Sequence, residues 1–438
     1  MRRAWLYIPL CIALLSAIYL SVPATDSDYV SSGRVIDYVT RKPIKEAIVT
    51  YNNEVVRTDG NGLFALKNAV GKIGIRAYGY ARGEITLSAP RPKSPLDIYL
   101  RPFVPKALYL TYYGIGDRHL RESALDLMKD TEVNALVIDV KGDRGILTYK
   151  SSVPRVAEIG AQKQVIVKDI QGLIRSLRER GVYTIARIVV FKDNILGTAR
   201  PDLTVKTQDG KTFYDREHLI WVDPSRKEVW DYNISLAVEA AQNGFDEIQF
   251  DYVRFPDKKG LQFSVPNTEE NRVKNISGFL SEASRALAPY NIFVAADVFG
   301  YASWNLDDTQ IGQRLDAITP HVDYISLMLY PSGFQFGIPG YRNPVAHPYE
   351  IVSLSLKKAQ ERTSIPSVRF RPWLQAFRDY AFDRRHFQAH EISSQIRAAD
   401  EFGSGGWMLW NPRNVYTSEG LKREPLSKNN KRQDSPTS

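Results

Sequence analysis

The sequence predicts a (β/α)8 barrel preceded by a small β-sandwich, and three observations support this. From Lys106 onward, short β-type runs alternate with amphipathic helical stretches, which is typical of a parallel βα sheet. Residues 30–101 contain only short β-type runs separated by turn clusters, which is typical of a sandwich. Charged and aromatic residues recur at the carboxyl ends of the later strands, where βα barrels place their chemistry.

Composition narrows the class of protein. The 438 residues are 43% hydrophobic and include 24 Tyr, 18 Phe and 7 Trp, enough for well-formed cores. The formal net charge of +9 is a modest excess. No basic stripe interleaves with the aromatic residues, so nucleic acid is not an expected partner, whereas an anionic polysaccharide or cell surface is compatible with the charge.

The chain begins with features of an export signal. Arg2 and Arg3 precede an apolar run, and Val22-Pro23-Ala24 suits cleavage after Ala24. The alternative is an uncleaved membrane tether through residues 4–24. Cys11 is the single cysteine, so disulfides and thiolate metal sites are not expected beyond the signal. We therefore expect a secreted, periplasmic or cell-envelope protein, which the N-terminal segment could tether to the membrane. Residues 422–438 are expected to form a basic, disordered tail.

The first predicted domain spans residues 30–101. Its β-type runs are Val35–Val39, Ala47–Tyr51, Leu63–Leu66, Ile73–Ala77 and Leu96–Leu100. The pattern Gly33-x-Val-x-Asp, Pro43-Ile-x-x-Ala, Thr58-Asp-Gly-Asn-Gly-x-Phe and Gly79-Tyr resembles the carboxypeptidase regulatory-like domain. That resemblance implies a transthyretin-like sandwich that acts as a spacer or docking module and carries no catalytic residue.

The second predicted domain, residues 106–415, contains eight candidate strands. They are Ala107–Leu110, Ala135–Val140, Tyr183–Val190, Glu247–Phe250, Phe293–Ala296, Tyr324–Leu329, Arg371–Ala376 and Gly406–Trp410. Helical stretches between them include Val165–Arg180, Glu228–Asn243, Glu269–Leu287, Ile351–Arg362 and Ser393–Phe402. An open doubly wound sheet is the alternative, but no Gly-x-Gly-x-x-Gly or Walker motif supports it.

Asp251 is the leading catalytic candidate. Along the fourth barrel strand, Glu247, Gln249 and Asp251 share one face and Ile248 and Phe250 share the other. Asp251 therefore points inward at the carboxyl end of its strand. The same alternation places Asp297 at the end of the fifth strand.

Two carboxylates on adjacent strands indicate glycoside hydrolysis. One carboxyl group protonates the leaving oxygen, and the other attacks the anomeric carbon or activates water. We assign Asp251 as the nucleophile and Asp297 as the general acid/base. The sequence leaves open whether the mechanism is retaining or inverting, and transglycosylation is equally compatible.

Further residues at the predicted barrel mouth are candidates for substrate binding. These are Asp139, Lys141, Arg187, Tyr252, Arg254, Tyr113, Trp304, Tyr330, Trp373, Gln375, Trp410 and Asn411. Asp139, Lys141 and Arg187 could equally form a buried salt-bridge network. The aromatic members could stack on sugar faces or simply pack the barrel rim.

Five motifs in order carry a resemblance to a bacterial family. They are Ala135-Leu-Val-Ile-Asp-Val-Lys-Gly-Asp143, Asp251-Tyr-Val-Arg-Phe-Pro256, Ala296-Asp-Val-Phe-Gly300, Asp323-Tyr-Ile-Ser-Leu-Met-Leu-Tyr-Pro331 and Gly406-Trp-Met-Leu-Trp-Asn-Pro412. They resemble the family named Putative glycosyl hydrolase domain over residues 108–414. The resemblance implies a TIM barrel and a reaction class, not a substrate.

Two other glycosidase groups help by comparison. The run Gly244 to Asp251 is similar to the strand-four motif of the α-amylase superfamily, whose last aspartate is the nucleophile. This chain has Gln249 where that family has an arginine, and Asp297 where it has a glutamate acid. The chitinase motif would place its catalytic glutamate at Val253, which argues against a chitinase mechanism.

Other chemistries are less well supported. His386-Phe-Gln-Ala-His390 has the spacing of a helical zinc pair but lacks the intervening glutamate, so neither a metal nor a cofactor is expected. No Gly-x-Ser-x-Gly nucleophile elbow occurs. The remaining alternative is a non-catalytic carbohydrate-binding or scaffold protein of the envelope. The sequence gives no oligomeric state.

Overall fold

The N-terminal part of the chain forms two small sheets. The computed structural model describes residues 30–87 and 96–424. The first seven strands are β1 Val30–Asp37, β2 Ile48–Tyr51, β3 Glu54–Arg57, β4 Leu63–Lys67, β5 Gly71–Arg76, β6 Gly83–Leu87 and β7 Leu96–Leu100. One sheet has the order β4-β1-β7 and the other β3-β2-β5-β6.

A shared hydrophobic core joins the two sheets. Inward residues of both sheets, such as Val35, Val49, Ile73 and Ile98, belong to one buried cluster. The sequence analysis missed β3 and β6. Both are edge strands of their sheet with mostly exposed or half-exposed side chains, so neither has the apolar run that marks a buried strand. The relationship to the carboxypeptidase regulatory-like family stays a prediction.

The second part of the chain is a closed parallel barrel, which confirms the predicted fold class. Its strands are β8 Lys106–Leu110, β9 Ala135–Lys141, β10 Tyr183–Val189, β11 Glu247–Asp251, β12 Phe293–Phe299, β13 Tyr324–Met328, β14 Trp373–Gln375 and β15 Trp407–Trp410. They pair in chain order, and β15 returns to β8. All eight coincide with predicted runs apart from shifts at their ends.

Helices connect the strands around the barrel. They are α1 Tyr112–Gly116, α2 Arg118–Asp130, α3 Pro154–Ile159, α4 Ile170–Glu179, α5 Asn194–Ala199, α6 Lys227–Gln242, α7 Glu269–Leu287, α8 Leu315–Ile318, α9 Pro348–Thr363 and α10 Ala389–Phe402. Helix α4 begins five residues later than predicted, because Asp169 caps it and accepts a hydrogen bond from the Gly172 N–H at 2.8 Å.

Polar side chains along β11 face the barrel interior in layers. At its start, the Glu247 carboxylate pairs with Arg371 at 2.5 Å and accepts a hydrogen bond from the Tyr183 hydroxyl at 2.9 Å. Gln249 follows and donates to Ser326 Oγ at 3.1 Å. Asp251 is the last residue of the strand and lies at the carboxyl end of the barrel. The alternation predicted from the sequence therefore leads from a buried ion pair up to the candidate site.

The sandwich covers the amino end of the barrel. The Tyr78 ring packs edge-on against Tyr324 at 5.9 Å between centroids, and Phe103 packs against Tyr183 at 5.4 Å. Arg82 reaches the loop before β11 and forms an ion pair with Asp246 at 3.1 Å. The carboxyl end of the barrel is the end that carries the cavity described below.

Two predictions concern chain ends that the structure does not describe. The signal or tether at 4–24 lies outside the described residues, as does most of the predicted tail, residues 425–438. Lys422, where that tail was expected to begin, forms an ion pair with Asp400, and its backbone N–H donates to Glu132 at 2.9 Å. Within residues 30–87 and 96–424, no helix has the length and hydrophobicity needed to span a membrane.

Candidate active site

A cavity of about 500 Å³ opens at the carboxyl end of the barrel strands. Its size suits a small ligand or one part of a longer one. Seven of the predicted site residues line it: Arg187, Asp251, Tyr252, Arg254, Tyr330, Trp373 and Trp410. The structure therefore brings half of the predicted site residues together at one cavity, and their role stays a prediction.

Asp251 is the buried carboxylate that reaches this cavity. Its Oδ2 accepts hydrogen bonds from Arg187 Nε at 3.0 Å and Nη2 at 2.5 Å, and its Oδ1 accepts one from the Tyr252 N–H at 2.5 Å. Burial lowers the pKa of Arg187, but Asp251 and Asp139 raise it, and the result lies well above the ordinary value. Arg187 is therefore a fixed positive charge against Asp251.

Asp139 forms an ion pair with Arg187 and does not line the cavity. Its Oδ1 accepts a hydrogen bond from Arg187 Nη1 at 2.6 Å, and its Oδ2 accepts one from the Tyr109 hydroxyl at 2.7 Å. Tyr109 in turn stacks on Trp410, with centroids 3.9 Å apart. Asp139 therefore belongs to a buried salt-bridge network, which was one of its two predicted roles. Arg187 belongs both to that network and to the cavity wall.

Asp297 lies in the barrel interior, is 0% exposed and does not line the cavity. Its Oδ1 accepts a hydrogen bond from Trp373 Nε1 at 2.8 Å, and its Oδ2 is buried without a partner in the described part of the chain. Burial and the nearby charge of Asp251 raise its pKa well above the usual range. The shift favours the protonated carboxyl of Asp297, which is the form that a proton donor needs.

The chain turns sharply after Asp251. Tyr252 has φ +49°, a left-handed conformation that non-glycine residues rarely adopt and that costs on the order of 1–3 kcal/mol. The turn directs both Tyr252 and Arg254 to the cavity, with Val253 buried between them. The Arg254 guanidinium lies 4.8 Å from the Trp221 ring centroid and 5.1 Å from that of Tyr252. The sequence analysis did not single out Trp221.

Aromatic rings form much of the cavity wall. Trp373 meets Trp410 edge-on at 5.3 Å, and Tyr330 meets Phe377 edge-on at 5.5 Å. Phe377 also lies parallel to Tyr380 at 6.2 Å. Flat apolar faces beside charged groups are what a sugar ring requires, since its C–H face packs on the ring while its hydroxyls find polar partners.

Besides Asp139 and Asp297, five more predicted site residues do not line the cavity. Tyr113 belongs to helix α1, Trp304 donates to Ser355 Oγ at 2.9 Å, and Asn411 donates to the Val415 carbonyl at 2.8 Å. The structure thereby corrects the placement of these three. Tyr113 is turned aside by a helix that begins directly after β8, and Trp304 and Asn411 are held by their hydrogen bonds.

The other two of these five are buried in polar contacts of their own. Gln375 donates to Ser332 Oγ at 2.7 Å and is 0% exposed. Lys141 pairs with Asp193 at 2.6 Å, and both side chains are 0% exposed. A register shift between Arg187 and Ile188 sets Lys141 opposite Ile188, an outward-facing core residue, so Lys141 leaves the barrel interior.

Several lining residues were missed by the sequence analysis. They are Glu217, Phe299, Gly300, Tyr301, Met328, Gly333, Phe334, Phe377, Tyr380 and Pro412. Most lie on loops beyond the strand ends, where no periodicity indicates direction. Phe377 is an exception, because it follows Gln375 by two residues and the alternation of β14 could have suggested it. Among the described residues, no three or more His, Cys, Asp or Glu side chains cluster so that they could hold a metal ion.

The fold and cavity define a (β/α)8 barrel with a carboxylate, arginine and aromatic site at its carboxyl end. Residues 107–416 match the family model described as Putative glycosyl hydrolase domain, and the chain belongs to this family. A search of curated proteins finds no match.

The chain is similar to several solved structures, two of which follow. A hypothetical protein from Ruminiclostridium thermocellum is 37% identical over 44% of this chain and 97% of its own, with a TM-score of 0.40. The PgaB (BpsB) glycoside hydrolase domain from Bordetella bronchiseptica is 13% identical over 73% of this chain and 99% of its own, with a TM-score of 0.51. At that identity the second likeness shows the barrel fold alone.

Proposed function

We propose that this protein is a glycoside hydrolase or transglycosylase that acts on an envelope or extracellular polysaccharide. The observation that carries the proposal is the carboxylate of Asp251 at the cavity surface, neutralised by Arg187 and surrounded by aromatic rings. An anionic carboxylate near a sugar ring stabilises the positive charge that develops at the anomeric carbon. Membership of a glycosyl hydrolase family supports the same reaction class.

Within this proposal Asp251 acts at the anomeric carbon, either as the nucleophile or as the base toward water. Its Oδ2 is already bonded twice to Arg187, so Oδ1, which accepts one backbone N–H, is the better-placed oxygen for attack. The Arg187 contacts orient the carboxylate and prevent it from turning away. Asp139 and Tyr109 hold Arg187 in place and have no direct contact with substrate in this scheme.

Asp297 is the proposed general acid/base. Burial and the charge of Asp251 raise the pKa of its carboxyl, which favours the protonated form that would donate to the glycosidic oxygen. Because Asp297 is covered in the unbound protein, the proposal requires its side chain or the Trp373 ring above it to move when substrate binds. The buried, unpartnered Oδ2 is the atom that would gain a partner by this movement.

The burial of Asp297 favours one competing function, because a covered carboxyl cannot donate a proton to a substrate. In this alternative the barrel binds glycans without cleaving them. In that case Asp297 is structural and Asp251 contributes to recognition. Replacement of Asp251 by Asn separates the two functions. In a hydrolase the change abolishes turnover and leaves much of the binding intact, whereas a binding protein shows no turnover from the start.

The experiment measures reducing-sugar release from bacterial envelope and exopolysaccharides by the wild type, Asp251→Asn and Asp231→Asn. Asp231 is an exposed carboxylate on helix α6 and serves as the matched control. Release by the wild type and by Asp231→Asn, but not by Asp251→Asn, supports the hydrolase. Glycan binding without release by any of the three supports the binding protein. The anomeric configuration of the first product, read by NMR, distinguishes retention from inversion.

A further inference from the structure

Arg254 presents an unusual guanidinium to the cavity. Its Nη1 donates to the Phe255 carbonyl at 3.1 Å. In the part of the chain that the structure describes, Nε and Nη2 have no protein acceptor, and no carboxylate forms an ion pair with Arg254. The Nε–Nη2 edge of the guanidinium is therefore free for a ligand in the cavity.

The position of this guanidinium is set before any ligand binds. The guanidinium packs against both the Trp221 and the Tyr252 ring, whose centroids are 5.6 Å apart. The Trp221 ring is itself fixed, because its Nε1 donates to Asp215 Oδ2 at 3.1 Å. An arginine restrained in this way loses little side-chain entropy on binding, which favours affinity.

Arg254, which is half-buried, differs from the fully buried cations of the barrel. Lys141, Arg187, Lys192 and Arg371 each form ion pairs with carboxylates at 2.5–2.6 Å. A cation withdrawn from water is costly unless a counter-charge accompanies it. Burial lowers the pKa of Arg254, and the nearby Tyr252 and Asp251 oppose this shift without reversing it. The missing counter-charge is best supplied by a ligand.

From this geometry we infer that Arg254 binds the carboxylate of an acidic sugar, so that the substrate is a uronic-acid-type polysaccharide. A planar carboxylate fits the Nε–Nη2 edge by accepting two parallel hydrogen bonds, which a neutral hydroxyl cannot match in charge or geometry. The inference rests on the proposed function and specifies its substrate class. The acidic sugar would lie beside Asp251, three residues earlier in the same turn.

The test compares acidic polysaccharides with their carboxyl-reduced forms, which keep the sugar backbone but lose the charge. The probes are polygalacturonate, polyglucuronate and alginate, with dextran sulfate as a differently shaped anion. Affinity is measured calorimetrically for the wild type, Arg254→Gln, Arg254→Lys and the control Arg397→Gln, an exposed arginine on helix α10. Thermal unfolding of each variant checks that it is folded.

We expect the wild type to bind at least one acidic polymer more tightly than its reduced form. Arg254→Gln should lower that affinity by roughly 10- to 100-fold, because charge-assisted hydrogen bonds are lost. The affinity of Arg254→Lys should lie between those of the wild type and Arg254→Gln, since lysine keeps the charge and cannot form the two parallel hydrogen bonds. Arg397→Gln should match the wild type. Added salt should weaken the preference in the wild type and not in Arg254→Gln.

Three results would overturn the inference. The first is no preference for any acidic polymer over its reduced form. The second is a preference that Arg254→Gln retains in full, and the third is an equal Arg254-dependent preference for dextran sulfate. If the protein releases sugar and the release does not depend on Arg254, the acidic-sugar site is wrong and the proposed hydrolase function still holds. If acidic polymers bind through Arg254 and no sugar is released, the acidic-sugar site holds and the proposed hydrolase function is wrong.

Discussion

Arg187 is the residue on which the candidate site depends most, and Arg187→Gln tests its role. The guanidinium is 4% exposed and makes three hydrogen bonds, two to Asp251 and one to Asp139. Loss of one partner of a buried ion pair costs about 3–5 kcal/mol, and here two carboxylates lose theirs. We expect the upper part of that range and a fall in Tm on the order of 10 °C.

A double-mutant cycle distinguishes an ion-pair network from ordinary packing. Arg187→Gln/Asp251→Asn removes one of the stranded charges, so it should be more stable than Arg187→Gln alone. Calorimetric unfolding at pH 7 of the wild type, both single variants and the double variant gives the coupling energy. Arg397→Gln, whose guanidinium is exposed and 3.9 Å from Glu401, is the control for loss of an arginine.

The expected coupling between Arg187 and Asp251 is about 1–3 kcal/mol. If the two single effects add to within about 0.5 kcal/mol, the network does not hold Asp251 and the argument for its orientation fails. A Tm loss for Arg187→Gln no larger than that of Arg397→Gln would refute the reasoning as well.

Three further predictions concern other parts of the barrel. Asp297→Asn should raise Tm at neutral pH and not near pH 3. The pKa of Asp297 is higher in the folded state than in the unfolded chain, so the wild type loses stability as pH rises from the unfolded pKa to the folded pKa, and the Asn variant does not. Equal Tm for the two proteins at all pH values would contradict the raised pKa. Lys141→Met should destabilise the fold by about 3–5 kcal/mol, since it strands Asp193, yet leave glycan affinity unchanged in a binding titration of the folded protein. Tyr380→Ala should raise KM roughly 5-fold with kcat nearly constant, because one stacking face worth about 1 kcal/mol is lost, and a kcat effect of the same size would argue against a binding role.

The barrel was predictable because its short, mostly apolar strands alternate with helices along the chain. Period-two alternation along β11 predicted that Asp251 faces inward, and the structure places it at the cavity. The same rule failed for Lys141, since a register shift in β9 and β10 reverses its direction. It also failed for Tyr113, because Thr111 caps helix α1 immediately after β8, and the side chain is 52% exposed.

The loops of the site were not predictable by periodicity. Tyr380, for example, lies in a segment held by Asp379, whose carboxylate accepts hydrogen bonds from Ser332 Oγ at 2.7 Å and from several backbone N–H groups. Burial opposes the effect, but these hydrogen bonds lower the pKa of Asp379 to about 2. Tertiary contacts of this kind have no local signature in the sequence.

The central claim is that Asp251 performs chemistry on a glycosidic bond. Its most direct test measures turnover and affinity on one Asp251→Asn protein, with the polysaccharide that the wild type cleaves fastest. The account predicts that kcat falls by at least about 100-fold while the glycan Kd changes by less than about 3-fold. A variant that keeps its turnover, or a wild type that binds glycans and releases no sugar from any of them, would contradict the account.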